Sequence, residues 1–300
     1  MVKVIVDSSC DLPDELMEEY EIKSVSQRIY LNDKEYLDKV TINSKEVYEA
    51  MKKGIIPQTS LPRPMEIYSL FRQCCQNGND FIFISISSKF SGTYQLAVSL
   101  IEQLQGYCDN IRMRAIDSKS GSTAIGLMAL QAARLARTGI GFDTIVEEIC
   151  ELAEHVEHIF MVQDLSWLIK GGRISRTEGI IGNILNVKPI LHVKDGAVEV
   201  LERVRGRKKA LDTIVDIMEE RIKDFPDQTI GIGYAYDEDI AYELGEMIIK
   251  RLGNKDIMMN EIGAALTSHL GIGGVGVFFF NKEPDFYMSI LCENVTLKVT

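Results

Sequence analysis

Hydroxyl side chains cluster after three apolar stretches in the first half of the chain. They lie in residues 7–11, DSSCD, in residues 87–93, SSKFSGT, and in residues 117–121, DSKSG. Hydroxyl groups donate hydrogen bonds, and glycine lets a ligand come close to the backbone. At the start of a helix, where the first N–H groups have no internal partner, such residues favour an anion. The pattern predicts a polar crevice suited to an anionic group.

A further hydroxyl pair, Thr59 and Ser60, lies in the segment 57-PQTSLPRP-64. Proline on both sides of the pair disfavours a helix and predicts an extended loop whose hydroxyls face the same crevice. Plainer interpretations stay open for other residues. Taken one at a time, the residues favour a helix N-cap for Ser91 and a structural hydrogen bond for His269.

The elements that must position these groups alternate in type. Strands are predicted at residues 2–6, 81–86 and 111–116, with helix-like segments between them. This is the rhythm of a mainly parallel α/β sheet. In an open parallel sheet the turns after the strands share the carboxyl edge, where ligands usually bind. The hydroxyl turns are therefore expected to meet there.

The second half of the chain has a different pattern. Asp195 and Gly196 separate two β-rich runs, a strong hairpin signal that predicts an antiparallel or mixed sheet. Two α/β domains are predicted, residues 1–150 with a mainly parallel sheet and residues 151–300 with a mixed sheet. In the second domain, strands are predicted at residues 158–162, 187–193, 197–204, 229–234 and 275–280, and helices at 207–222 and 239–252.

The composition disfavours several functional classes. The chain has 33 Lys and Arg against 44 Asp and Glu, a net charge of −11, which argues against general binding to nucleic acid or anionic membranes. No segment approaches the roughly 18 apolar residues of a membrane span, so a cytoplasmic protein without stable membrane insertion is predicted. The six cysteines form no CxxC pair, which favours reduced thiols over disulfides or zinc.

Other motifs point away from nucleotides and metals. A G-x-G-x-x-G pattern at residues 271–276 precedes an apolar run instead of opening a helix, so no dinucleotide site is predicted. Residues 170–173, KGGR, lack the spacing of a P-loop. His155 and His158 are three apart, as on one face of a helix, but no third ligand is evident and no metal site is predicted.

An ordered series of motifs resembles the DegV family, the fatty-acid-binding proteins that serve bacterial fatty-acid kinase. The resemblance spans nearly the whole chain, and the series is far more specific than any single motif. Its members are DSSCDLP near the start, PQTSLP at 57–62, SSKFSGTYQLA at 87–97, DSKSGS at 117–122, LIKGGRIS at 168–175, LNVKPILHVKDG at 185–196, RVRGRKKA at 203–210 and SHLGIGGVGVFF at 268–279.

The resemblance implies a protein that encloses one long-chain fatty acid and holds its carboxylate at the junction of the two domains. A separate ATP-dependent kinase would phosphorylate that carboxylate to an acyl phosphate, so this chain is not itself the enzyme and needs no cofactor. By motif, the head group is bound by Thr59, Ser91 and His269, with Ser60 and Gly92 beside them.

For the kinase contact, the resemblance implies an arginine in the basic stretch 203–209. Arg205 is the best match, with Arg203 and Arg207 beside it. Alternating arginines would share one face of a strand, a suitable patch for an acidic partner.

The sequence departs from the family in two places. The family often has His-Thr-Gly-Pro-Gly where this chain has HLGIG at 269–273, which leaves the conformation of that turn open. Residues 281–300 run past the end of many members, and no function is assigned to them.

The acyl tail is expected to supply most of the affinity. At about 0.8 kcal/mol per buried methylene, a chain of roughly fifteen gains on the order of 12 kcal/mol before ordering costs, more than a few head-group hydrogen bonds at about 1.5–3 kcal/mol each. A long apolar tunnel is therefore required. Its candidate lining is Ile180, Ile181, Ile184, Leu185, Phe278 and Phe280, although ordinary core packing explains each of them individually.

Two other functions fit part of the pattern. A serine hydrolase acting on acyl esters would use Ser91 as nucleophile and His269 as base. Against it, the chain has no G-x-S-x-G elbow and no acidic residue obviously placed to orient the imidazole. A sensor of phosphate or another small anion would use the hydroxyl turns but would not retain a fatty acid.

Overall fold

The computed structural model of the chain describes residues 1–108, 110–175 and 186–288. Its strands are β1 (Val2–Asp7), β2 (Lys23–Val25), β3 (Arg28–Leu31), β4 (Lys34–Leu37), β5 (Gln58–Ser60), β6 (Asp80–Ser85), β7 (Met113–Asp117), β8 (Val156–Met161), β9 (Val187–Lys194), β10 (Ala197–Arg205), β11 (Ile230–Tyr234), β12 (Ile257–Glu261) and β13 (Val275–Phe280). Its helices are α1 (Asp14–Glu19), α2 (Ser44–Lys52), α3 (Pro64–Gln76), α4 (Thr93–Gln105), α5 (Thr123–Thr138), α6 (Phe142–His155), α7 (Ser166–Lys170), α8 (Arg207–Arg221), α9 (Glu238–Leu252) and α10 (Ala264–Leu270).

A four-stranded sheet forms the centre of the N-terminal half, in the order β2-β1-β6-β7, and all its pairings are parallel. The apolar run of β6 is unbroken because helices cover both faces of the sheet. Phe81 and Phe83 pack with α3 and α4, whereas Ile82 and Ile84 pack with α5, and all four side chains are fully buried. The predicted parallel α/β arrangement is confirmed.

A six-stranded sheet forms the centre of the C-terminal half, in the order β10-β9-β8-β13-β11-β12. Strands β11 and β12 pair in parallel and the other four pairings are antiparallel, which confirms the predicted mixed sheet. Asp195 and Gly196, with φ of 48° and 81°, form the turn of the predicted β9–β10 hairpin. Helices α8 and α9 cover one face. The other face looks toward the carboxyl edge of the parallel sheet.

The sequence patterns did not indicate the small antiparallel sheet β4-β3-β5. Its strands have three or four residues and are largely half-buried, so no apolar alternation marks them. Asn32 and Asp33, with φ of 48° and 64°, form the β3–β4 turn. The segment predicted as an extended loop forms β5, where Thr59 pairs with Ile29 of β3. Strand β12 is likewise absent from the predicted set.

Helix α10 joins the two halves of the molecule. Its buried Ala264 and Ala265 pack with Ile29 of β3 and with Val47 and Met51 of α2. The chain passes from the parallel sheet to the mixed sheet at β8, directly after α6. The predicted domain division at residue 150 would fall inside α6, and it stays a prediction.

A β-bulge changes the direction of the side chains at the basic end of β10. The register with β9 shifts at Leu201. One extra residue reverses which side chains face each side of a strand. Before the bulge, Val198 packs on the face away from α8, whereas Val204 after it packs against α8. The exposed Arg203 and Arg205 therefore lie on the face opposite α8.

Arg207 does not share that face. It is the first residue of α8, and its guanidinium pairs with Asp237 at 3.7 Å and with Glu243 at 2.7 Å. The prediction that three arginines share one strand face is wrong for this residue, because Gly206, with φ of 84°, turns the chain out of β10 and into the helix.

Candidate functional site

A cavity of about 470 Å³ lies between the carboxyl edge of the parallel sheet and the face of the mixed sheet opposite α8 and α9. This volume is typical of a site for an organic molecule and exceeds what a phosphate ion needs. The sequence-predicted residues Thr59, Ser60, Ser91, Gly92 and His269 all line it. Its apolar lining includes Ile86, Phe90, Phe160, Val162, Leu168, Val193, Val198, Ile262, Leu266, Leu270 and Phe278.

Thr59 and His269 meet at the polar end of the cavity. Thr59 lies on β5 and His269 near the end of α10, and His269 Nε2 is 2.8 Å from Thr59 Oγ1. Gly271, with φ of 78°, ends the helix two residues later. The departure from the family pattern in this turn therefore still places the imidazole beside the Thr59 hydroxyl.

The surroundings of His269 favour a neutral imidazole with its hydrogen on Nε2. Its Nδ1 is buried without a hydrogen-bond partner, and a side chain at Gly171 would put a carbon 2.2 Å from that nitrogen. A buried N–H without an acceptor is rarer and more costly than an unused lone pair. Burial, and secondarily the Arg173 cation, lower the pKa of His269 to about 3. His269 therefore donates to Thr59, whose own hydrogen is free for a ligand.

Ser91 lies just before α4, where its hydroxyl contacts Thr93. The two hydroxyl oxygens are 2.8 Å apart, and the Thr93 backbone N–H donates to Ser91 Oγ at 3.4 Å. The helix N-cap is Gly92, not Ser91, and no side chain caps it directly. A Cβ on Gly92 would lie 3.6 Å from Leu61, an ordinary van der Waals distance, so the loop after β5 packs directly against the start of α4.

The Ser60 hydroxyl is already engaged by an arginine. Ser60 Oγ accepts a hydrogen bond of 2.8 Å from Arg28 Nη2, and Arg28 Nε donates to the Leu61 carbonyl at 2.7 Å. Neighbouring residues on a strand point to opposite faces, so Thr59 and Ser60 cannot both direct their hydroxyls to one ligand atom. Ser60 lines the cavity, but its hydroxyl fixes the loop after β5.

Sequence reasoning missed Arg173 as part of this site. The half-buried Arg173 lines the cavity, and its Nε and Nη2 donate to the Phe90 carbonyl at 3.1 and 2.9 Å. This guanidinium contributes a positive charge beside His269. The LIKGGRIS motif at 168–175 contains Arg173 and is the signal that could have found it.

The apolar part of the cavity contains a second buried histidine. His158 on β8 lies between Phe278 and Phe160, with ring centroids 4.1 and 4.7 Å away, and burial lowers its pKa to about 3. His155 ends α6 while His158 is on a strand, so the prediction that they share a helix face is wrong. Because the helix ends at His155, the spacing of three residues does not place the two imidazoles on one helix face.

The predicted tunnel lining is only partly within the described residues. Phe278 lines the cavity, whereas Phe280 is buried in the core beside α5 and does not. Phe278 and Phe280 are two residues apart on β13 and therefore lie on the same face of the strand, but Phe280 is farther along the strand from the cavity. Ile180, Ile181, Ile184 and Leu185 lie outside the described residues.

The buried imidazole of His158 makes stability depend on pH. We expect acidification from pH 7 to pH 5 to cost about 2 kcal/mol through this group, since the unfolded chain binds a proton near pH 6.5 and the folded chain only near pH 3. Stability is thus full above pH 6.5 and falls as the pH drops below it. Urea unfolding at both pH values measures the loss, and His158→Phe should remove this part of it. If His158→Phe lost as much free energy of unfolding between pH 7 and pH 5 as wild type, the loss could not come from His158.

Several serine hydroxyls in and beside the three turns bond to other protein groups. Ser122 Oγ donates to Asp11 at 2.7 Å, and the Gly263 backbone N–H donates to the same carboxylate at 3.0 Å. Lys39 Nζ lies 3.1 Å from it. Asp11 is almost completely buried, and its contacts fix the residue directly before α10. Across the interface, Ser87 Oγ donates to the Gly196 carbonyl at 2.7 Å.

The hydrolase hypothesis finds no support in this geometry. Ser91 Oγ bonds with Thr93, and His269 bonds with Thr59, so the two proposed catalytic groups are not paired. Among residues 1–108, 110–175 and 186–288, no carboxylate orients the His269 imidazole, since Nδ1 has no partner. The arrangement presents hydroxyl donors but lacks a base held against a nucleophile.

Within the described residues, neither a metal-binding cluster nor a membrane-spanning helix is present. No group of three or more His, Cys, Asp or Glu in this part of the chain is arranged to hold a metal ion. None of its helices has the length and apolar character needed to cross a bilayer.

Several known proteins are similar to this chain in sequence and in fold. A DegV domain-containing protein of Caldanaerobacter subterraneus subsp. tengcongensis is 34% identical over 281 residues, covering 94% of this chain and 99% of that protein. The solved structure of a fatty-acid-binding DegV family protein from Thermus thermophilus has a TM-score of 0.87 at 28% identity, covering 93% and 99% of the two chains. DegV, a fatty acid binding protein from Bacillus subtilis, has a TM-score of 0.82 at 30% identity, covering 92% and 98%.

The match to a family model includes all the strands and helices described above. The model of the DegV family, described as uncharacterised proteins, matches residues 1–282, which include both large sheets and the residues around the cavity described above. The motif resemblance noted in the sequence is therefore supported over the full length of both halves. On the match over residues 1–282 and the relatives of similar length, the chain belongs to the DegV family.

Proposed function

We propose that this protein binds a long-chain fatty acid and presents its carboxylate to a separate ATP-dependent fatty-acid kinase. The observation that carries the proposal is the cavity that has hydroxyl donors at one end and an apolar body behind them. Fatty-acid binding by the Thermus thermophilus and Bacillus subtilis relatives supports it. In this proposal the chain is a cytoplasmic lipid-binding subunit without a resident cofactor, and the kinase supplies the catalysis.

The head group would be held by Thr59 and Ser91. Each hydroxyl can donate to a carboxylate oxygen, and such bonds to a charged acceptor contribute about 1.5–3 kcal/mol each. His269 takes part by donating to Thr59. Arg173 adds a positive potential while its own N–H groups bond to the Phe90 carbonyl. A carboxylate held this way is only partly neutralised and keeps nucleophilic character toward a phosphoryl donor.

The tail would occupy the apolar body of the cavity. Phe160 and Phe278 on the mixed sheet, with Ile86 and Leu266 across from them, offer a dry surface. Burial of methylenes contributes about 0.8 kcal/mol each, so the tail provides most of the affinity. A free phosphate or other small anion would leave this surface unused, which disfavours the sensor hypothesis.

The position of the basic stretch supports a docking role near the head group. Arg205 pairs with Val187 at the start of β9, and Ile190 of β9 pairs with Met161 at the end of β8. The next residue, Val162, lines the cavity. The arginines of β10 thus emerge at the sheet end where the polar groups of the cavity lie, on the face opposite α8. An acidic partner bound there would reach the carboxylate.

Native mass spectrometry of the protein purified from cells tests fatty-acid binding. We expect a mass increment that matches one fatty acid and disappears on extraction with organic solvent. A protein that carries no lipid, and that takes up no oleate when it is offered, would overturn the proposal.

Arg205→Ala is expected to lower kinase-dependent acyl-phosphate formation at least about tenfold, because partner docking loses a charged contact. Fatty-acid affinity should stay unchanged, since the side chain is exposed and does not line the cavity. The assay couples the protein to a fatty-acid kinase and ATP, and a displacement titration measures affinity. Arg72→Ala, an exposed arginine on α3, is the matched control. Equal loss of turnover and of lipid binding in Arg205→Ala would refute the docking role.

A further inference from the structure

Gln27 has a buried side-chain amide next to the head-group end of the cavity. The amide has no role in the proposed fatty-acid binding by Thr59 and Ser91. It lines the cavity, is 4% exposed, and its Nε2 is 3.2 Å from Thr93 Oγ1. Thr93 in turn lies 2.8 Å from Ser91 Oγ. The three side chains form a hydrogen-bonded line that ends at the cavity.

The Asp7 carboxyl fixes the orientation of the Gln27 side-chain amide. The side-chain amide of Gln27 also lowers the pKa of the Asp7 carboxyl, against the larger raising effect of burial, so the polar end of the amide lies near that carboxyl. Asp7 accepts two backbone hydrogen bonds as well, from Ser9 N at 2.9 Å and Ile86 N at 2.8 Å. Turning the amide over would bring its carbonyl oxygen against this acceptor group. The NH₂ group therefore faces both Asp7 and Thr93.

This orientation sets the direction of the next hydrogen bond. Thr93 Oγ1 accepts from Gln27, and Thr93 is completely buried, so its own hydrogen must find an acceptor. In the described parts of the chain, its remaining hydroxyl contact is Ser91 Oγ. Thr93 thus donates to Ser91, and the Ser91 hydrogen is left pointing away from Thr93, toward the cavity that Ser91 lines.

We propose that Gln27 is a positioning residue that, through Thr93, locks the Ser91 hydroxyl as a hydrogen-bond donor to the ligand. His269 imposes the same direction on Thr59 from the other side. Both hydroxyls then direct a hydrogen at the ligand, and at Ser91 the Thr93 hydroxyl and N–H occupy the lone pairs. The site favours a head group that only accepts hydrogen bonds, an ionised carboxylate, over a fatty alcohol, whose own hydroxyl hydrogen finds no acceptor at Ser91. This inference rests on the proposed function.

The test compares two ligands with the same tail, oleate and oleyl alcohol. Displacement of a fluorescent fatty acid gives the affinity of wild type, Gln27→Met and Thr93→Val for each. In both variants we expect oleate affinity to fall about tenfold and oleyl alcohol affinity to stay within about twofold, because Ser91 can then turn and accept. The ratio of the two affinities should thus fall about tenfold.

Gln131→Met is the matched control. Gln131 is also a buried glutamine, on α5, where its side chain bonds with the backbone of Met288 and does not line the cavity. Its substitution should leave the ratio unchanged. Equal weakening of both ligands in Gln27→Met and Thr93→Val, or no weakening of either, would overturn the inference while leaving fatty-acid binding intact. A wild-type protein that binds neither ligand would instead refute the proposed function, and this inference with it.

Discussion

Replacing Thr59 with valine is expected to weaken the binding of a long-chain fatty acid by about tenfold to a hundredfold. The change keeps the shape of the side chain but removes the hydroxyl that His269 Nε2 contacts at 2.8 Å. Affinity falls because the carboxylate loses a hydrogen-bond donor, whereas the imidazole N–H loses its acceptor in the free and the bound protein alike. Titration calorimetry with oleate measures the change.

The control for this experiment is Thr138→Val. Thr138 ends α5, and its hydroxyl donates to the Leu135 carbonyl away from the cavity, so oleate affinity should not change. If Thr59→Val bound oleate as tightly as wild type, the head group could not lie beside Thr59. The carboxylate would then have to be placed elsewhere in the cavity, and the assignment of His269 would fall with it.

Asp11→Ala is expected to lower the free energy of unfolding by about 3 kcal/mol. The carboxylate is buried and receives the Ser122 hydroxyl, the Gly263 N–H and the Lys39 ammonium. Removing it leaves these donors without their acceptor at the point where the parallel sheet meets the start of α10. Urea unfolding followed by circular dichroism measures the loss.

Two further variants calibrate that result. Asp11→Asn keeps one acceptor oxygen and should cost less than Asp11→Ala, whereas Asp224→Ala, at an exposed position, should stay within about 0.5 kcal/mol of wild type. A loss in Asp11→Ala no larger than that of Asp224→Ala would mean that the buried carboxylate does not hold the two halves together. Because α10 carries His269, a large loss should be accompanied by weaker fatty-acid binding.

These expectations describe two kinds of polar residue in one crevice. The hydroxyls of the turns at residues 7–11 and 117–121 were predicted to face a ligand, yet Ser8 bonds to Asp38 and Ser118 bonds to the Ser120 carbonyl. A buried hydroxyl near a carboxylate or a carbonyl is more stable when it donates to that group than when it stays unbonded until a ligand arrives. Thr59 and Ser91 differ because neighbouring groups donate to their hydroxyl oxygens, which leaves their hydrogens free for a ligand.

Several features of the molecule followed from the sequence alone. Short apolar runs predicted β1 and β6, and in β6 the four residues 81–84 are all apolar, since a strand covered on both faces needs no polar alternation. Asp195 and Gly196 predicted the β9–β10 hairpin because a two-residue turn requires positive φ. Local conformational preference and burial decide these elements, so a short window of residues is enough to see them.

Other features depended on tertiary structure. The small sheet of β3, β4 and β5 has too few apolar residues to be seen locally and forms because α10 and α2 cover it. Gln27 and Arg173 became visible only when the fold brought residues far apart in the chain to the same cavity. The direction of a hydroxyl hydrogen depends on every donor and acceptor around it. The sequence by itself determined which groups could bind an acid, and only the packed structure decided which of them are free to do so.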